Sequence, residues 1–122
     1  MARTMKSIDA MTASNLMRDG ALMVDIREPG EYANIHIPGS QNVTLSRLDG
    51  STIPVAAGQA IVFFCAAGSR TAINACRLAA KSGTAEAYVM SGGISAWTQA
   101  GLPVERGETG GRGGGIFSRL FG

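Results

Sequence analysis

Ile61-Val62-Phe63-Phe64-Cys65-Ala66-Ala67-Gly68-Ser69-Arg70-Thr71 changes character twice along its length. Its first four residues form an apolar run with the length and composition of a buried strand. Cys65 closes the run, and Ala66 to Ser69 are a loop of small residues. The spacing then predicts a helix over residues 71–81, stopped by Gly83. Cys65 therefore stands at the carboxyl end of a strand, where the reactive loops of open α/β sheets gather.

The alternation continues on both sides of this segment. Upstream, residues 8–17 read as a helix capped by Asp9, with Gly20 beyond its end, and residues 22–26 as a buried strand. Glu28-Pro29-Gly30-Glu31-Tyr32 opens a helical turn, and His36-Ile37-Pro38-Gly39-Ser40 is a tight turn. Residues 42–44 are extended, 46–49 form a helical turn and 50–58 a loop. Downstream, residues 86–89 read as a strand and 94–100 as a helix closed by Gly101. Strands alternating with helices predict one α/β domain with a largely parallel sheet, here over residues 5–105. Residues 106–122 are Gly-rich and read as a flexible tail. Its apolar and basic end, residues 116–122, is too short for stable membrane binding by itself, and a frayed terminus is expected.

At 122 residues the chain suits one domain, which buries roughly two-thirds of its unfolded surface. No disulfide or metal is needed to hold such a domain, and neither a metal nor a cofactor is expected. The net charge of +2 comes from scattered residues with no interleaved aromatics, which argues against nucleic-acid binding. Residues 1–7 lack an apolar signal core, and no stretch approaches the ~18 apolar residues of a membrane span. Cys65 and Cys76 are too few for a disulfide framework, so a reducing cytoplasm is the expected compartment.

The loop suggests why a thiol here should react. Successive small residues can curl so that backbone N–H groups point inward and bind an anion. The positive end of the following helix adds to this. Both favour thiolate, which is the nucleophilic form of cysteine. Gly68 permits the left-handed backbone that the curl needs. Ala66 and Ala67 are expected to leave space above the sulfur, and Arg70 to hold loop carbonyls or a neighbouring carboxylate. Without its flanking segments, Cys65 reads equally well as a buried cysteine at a strand end.

Three segments in order resemble the rhodanese family. The first is Val24-Asp25-Ile26-Arg27-Glu28-Pro29-Gly30-Glu31-Tyr32, continuing through His36-Ile37-Pro38-Gly39-Ser40 to Asn42-Val43. The second is the Cys65 to Arg70 loop followed by Thr71, and the third is Gly92-Gly93-Ile94-Ser95-Ala96-Trp97 with Gly101-Leu102-Pro103-Val104. The resemblance implies a five-stranded parallel sheet with helices on both faces. It also implies a sulfurtransferase working by a ping-pong reaction. Cys65 would take sulfane sulfur from a small donor such as thiosulfate and pass it to cyanide, a thiol or a protein acceptor. Some bacterial single-domain rhodaneses with a similar loop continue into paired membrane helices, which are not found in this sequence.

Other residues admit two readings. Asp25 and Arg27 flank Ile26 and face one side of a strand, as a structural ion pair or as substrate steering by Arg27. His36 is the only histidine and reads as a structural hydrogen-bonding residue of its turn rather than as a general base. Ile73, Cys76 and Ala80 share a helical face, which suggests that Cys76 is buried rather than a resolving thiol. Trp97 is expected to anchor the last helix in the core. Gly92 and Gly93 read as an ordinary turn or as a loop shaping the site.

Two rival functions stand beside sulfur transfer. One is a non-enzymatic persulfide carrier or redox-sensing module. The other is a Cys-dependent phosphatase or arsenate reductase. Phosphatases that resemble rhodaneses place five residues between Cys and Arg, and this chain places four, Ala66 to Ser69. Phe64 also stands where that phosphatase motif has His.

Overall fold

Alternate residues of two adjacent central strands point to opposite faces and are apolar on both, so each must be covered twice. In the computed structural model, which describes residues 5–83 and 86–107, these strands are β2 (Leu22–Asp25) and β5 (Ile61–Phe64). They pair in parallel, Leu22 opposite Ile61 and Asp25 opposite Phe64. β6 (Ala87–Met90) pairs with the other side of β5, β1 (Lys6–Ile8) with β6, and β4 (Gln41–Asn42) with β2. The result is a five-stranded parallel sheet in the order β1-β6-β5-β2-β4.

One face carries Met23, Val62, Phe64 and Met90. It is covered by α1 (Ala10–Arg18) and α5 (Gly93–Gln99) through Ala10, Ala13, Ile94 and Trp97. The indole of Trp97 is buried and its Nε1–H donates to the Pro103 carbonyl at 2.7 Å, which ties down the chain beyond α5. The other face carries Val24, Ile61, Phe63 and Ala87. Leu48 of the 3-10 helix Leu45–Gly50 and Leu78 of α4 (Ala75–Lys81) cover it. This is the expected fold, an α/β domain with helices on both faces of a five-stranded parallel sheet.

Several elements differ from the sequence expectation. The helix expected over residues 71–81 is two, α3 (Ser69–Ile73) and α4, divided at Asn74. Strand β1 was not expected. Neither was a small antiparallel ribbon of β3 (Ile35–His36), which follows α2 (Pro29–Asn34), with β7 (Glu105–Arg106). Two- and three-residue strands are too short to show alternation, and only their partners reveal them. The tail expected from residue 106 begins later, because Arg106 pairs with Ile35 in β7 and the Gly107 N–H donates to the Asn34 carbonyl at 2.9 Å; residues 108–122 lie outside the described residues. Among the described residues no helix is long and apolar enough to cross a membrane.

Candidate active site

All five strands run the same way, so their carboxyl ends share one edge. The chain leaves β2 towards β4 and leaves β5 towards β6, in opposite directions. Such a switch between neighbouring strands opens a crevice between their outgoing loops. The loop after β5 carries Cys65 and the loop after β2 carries Arg27 to Glu31, so the topology aims both at one place.

The Cys65 loop closes over its own sulfur. Gly68 caps α3 with φ 106°. Only glycine adopts that conformation readily, and it turns the Gly68 N–H onto the Cys65 Sγ at 3.1 Å. The Thr71 hydroxyl lies 3.8 Å from the same sulfur and 3.0 Å from the Gly68 carbonyl oxygen, so its single proton can be given to either. Burial pushes the Cys65 thiol up. Thr71, through its N–H and hydroxyl, and the N–H groups of Gly68 and Arg70 outweigh it, so the thiol lies below its ordinary range. Backbone N–H groups and a hydroxyl surround the sulfur, and His36 is not among its hydrogen-bond partners.

Each expected site residue has a definite place. Ala66 is half-buried, Ala67 exposed, and Ser69 is the exposed first residue of α3. The small side chains do not leave the sulfur open as expected: Cys65 is 0% exposed. The curl that turns N–H groups inward also folds the loop over the thiol. A cleft of about 400 Å³ adjoins the loop, with Ala67, Gly68, Thr71 and Gly92 in its walls. A cavity of about 700 Å³ that includes Ile53, Gln59, Lys81 and Glu86 lies at the opposite edge of the sheet.

Arg70 finds its carboxylate in Glu31. The two make a bidentate pair, Nη1 to Oε1 at 2.8 Å and Nη2 to Oε2 at 3.0 Å, across 39 residues of sequence. Arg70 holds the Glu31 carboxyl down at about 2. Glu31 was not singled out from the sequence. Its one local signal is the Glu28 and Glu31 spacing of a capping box around Pro29, which the structure forms.

Asp25 and Arg27 form a buried ion pair. The Arg27 Nε donates to both Asp25 oxygens, at 3.0 and 3.1 Å, and Nη2 to Oδ2 at 2.8 Å. Nη2 also donates to the Ile35 carbonyl at 2.6 Å. Asn42 Nδ2 donates to the carbonyls of both residues. These bonds brace the loop that presents Glu31, and neither residue contacts the sulfur.

Gly92 and Gly93 do more than turn the chain. The N–H of Ile94 donates to the Cys65 carbonyl at 2.9 Å, and that of Ser95 to the Ala66 carbonyl at 3.0 Å. A Cβ on Gly93 would meet the Cys65 carbonyl oxygen at 2.2 Å, so only glycine allows this approach. His36 is pinned away from the thiol, with Nδ1 3.0 Å from the Tyr32 carbonyl and Nε2 3.0 Å from a Glu105 carboxylate oxygen.

Cys76 is exposed, against the expected burial. Ile73, Cys76 and Ala80 do share a side, but it faces solvent, while Thr71, Leu78 and Ala79 face inward. Spacing alone groups residues on a face without saying which way it points. Among the described residues, no three His, Cys, Asp or Glu side chains are grouped as a metal site.

Residues 9–100 match the model of the rhodanese-like domain. An uncharacterized protein of Synechocystis is 37% identical over 71% of this chain, which spans 48% of that protein. A thiosulfate sulfurtransferase, GlpE, of Ectopseudomonas mendocina is 31% identical over 82% of this chain and 90% of its own length. The crystal structure of a rhodanese-related protein from Thermoplasma volcanium matches with a TM-score of 0.70 at 26% identity, covering 82% of this chain and 97% of that one. The chain belongs to the rhodanese-like family, with sulfurtransferases among its relatives.

Proposed function

We propose that the chain transfers sulfane sulfur through a persulfide on Cys65. The observation that carries this reading is the ring of donors around one sulfur, with the Gly68 N–H at 3.1 Å and the thiol held below its ordinary range. Thiolate attacks the outer sulfur of thiosulfate, the Sγ–S bond forms, the S–S bond of the donor breaks, and sulfite leaves. The persulfide keeps one negative charge, which the same N–H groups stabilise. Cyanide or a thiolate then attacks the terminal sulfur and restores the Cys65 thiolate. No proton relay is required, consistent with His36 being held elsewhere. A loop with four residues between Cys65 and Arg70 fits one sulfur better than a tetrahedral phosphate.

Steady-state kinetics with thiosulfate and cyanide test the reading. Parallel double-reciprocal lines are expected, with turnover lost in Cys65→Ala and kept in Cys76→Ser. Equal loss in both variants contradicts a one-cysteine mechanism. A persulfide that forms but passes only to a protein thiol would make the chain a carrier. Cys65-dependent hydrolysis of an aryl phosphate would instead favour the phosphatase reading.

A further inference from the structure

We infer that Glu31 sets which sulfur donors the site accepts, turning it away from dianions such as thiosulfate and towards persulfides of small thiols. The inference rests on the Cys65 persulfide reading and adds the charge of the donor to it. Within the loop from Cys65 to Arg70, Arg70 is the sole cation. Both ends of its guanidinium are taken by the Glu31 carboxylate, at 2.8 and 3.0 Å. The carboxylate is itself fixed, because its Oε1 accepts the Glu28 N–H at 2.9 Å. Arg27, the nearest cation on the facing loop, is buried and spent on Asp25. The two ion pairs cancel, and Glu28 on the same loop as Arg27 adds an acidic group before the sulfur contributes its own charge.

A doubly charged donor approaching that thiolate meets repulsion, and the cations of the two facing loops, Arg70 and Arg27, are already paired. An alkyl persulfide, R–S–SH, carries at most one negative charge against the two of thiosulfate. The thiolate attacks its outer sulfur, the Sγ–S bond forms, the R–S bond to it breaks, and RS⁻ leaves. The proton on the transferred sulfur passes to the departing RS⁻, so the products are RSH and the same Cys65 persulfide anion, and atoms and charge balance. Glu31 touches neither donor nor sulfur in this scheme and acts through Arg70 as a specificity-determining residue.

Glu31→Gln tests this while keeping an oxygen for the Glu28 N–H. kcat/KM is measured in wild type and variant with thiosulfate and with a small alkyl persulfide, cyanide being the acceptor. Freeing Arg70 is expected to raise the thiosulfate value about fivefold to tenfold, to change the persulfide value less than twofold, and to make the thiosulfate gain shrink with added salt. An unchanged ratio between the two donors overturns the inference, as does an equal fall with both. A merely structural role for Glu31 moves both donors together. Salt dependence in the wild type gives a second measurement that needs no variant. The thiosulfate rate should hold or rise with ionic strength, and a steep fall would show an unmasked cation and overturn the inference. If neither donor adds sulfur to Cys65 by mass, the parent reading fails and this one with it.

Discussion

Thr71 shows how much of the site depends on single atoms. Its hydroxyl bridges the Gly68 carbonyl and the Cys65 sulfur, and its N–H also favours the thiolate. Thr71→Val keeps the shape and removes one of these donors. Cys65 alkylation by iodoacetamide at neutral pH is therefore expected to slow, its pH profile moving up, and an unchanged profile would show that backbone N–H groups suffice. Arg70→Ala leaves the Glu31 carboxylate without its cation beside the site and is expected to lower kcat/KM about tenfold to a hundredfold by repelling anionic donors. Unchanged kinetics and Tm would show Arg70 to be incidental. At this scale the sequence displayed Cys65 and its loop because they are contiguous and small. Glu31 was hidden because its meaning arises only when the sheet brings it to Arg70 across 39 residues. The orientation of Cys76 was hidden for a different reason: helical spacing gives a face and not its direction.

Among the elements, α5 is tied to the chemistry by its first turn. Its leading glycines let the chain approach the Cys65 and Ala66 carbonyls, where Ile94 and Ser95 donate. Gly93→Ala must relieve a 2.2 Å contact with backbone and also adopt φ +59°. A loss of about 2–4 kcal/mol by urea unfolding is expected, with activity falling further than stability explains because the loop itself is displaced. A loss below ~0.5 kcal/mol would mean that α5 does not hold the loop. The loop after β2 rests on the Asp25 and Arg27 pair. Asp25→Asn leaves a buried guanidinium short of charge and is expected to cost about 3–5 kcal/mol. The long strands were legible because four apolar residues bounded by turns admit few readings. The break at Asn74 was not, since residues 71–81 have helical spacing throughout and no proline or glycine marks the division.

For the whole molecule, parallel topology does the assembling: it sets β2 and β5 side by side with their outgoing chains diverging, and so places Glu31 opposite Arg70. The alternation of strands and helices made a parallel sheet readable, while the strand order emerges only from the pairing in the fold. Two ionisations link the site to global stability. Glu31, held at about 2 against 4.5 when unpaired, stabilises the fold above pH ~4.5, and this is lost as pH falls towards 2. The pair is partly exposed, so the Tm difference between wild type and Glu31→Gln should be small above pH 5 and vanish near pH 2. Cys65 is also lowered, so its contribution is absent below its folded value and grows as pH rises towards the ordinary thiol range near ~8.5. Intact-mass analysis of the full chain, treated with excess thiosulfate and then with cyanide, bears most directly on the persulfide. A gain of one sulfur atom that cyanide removes, seen in wild type and Cys76→Ser but not in Cys65→Ala, is the expected result. No added sulfur, or sulfur on Cys76 instead, would contradict it.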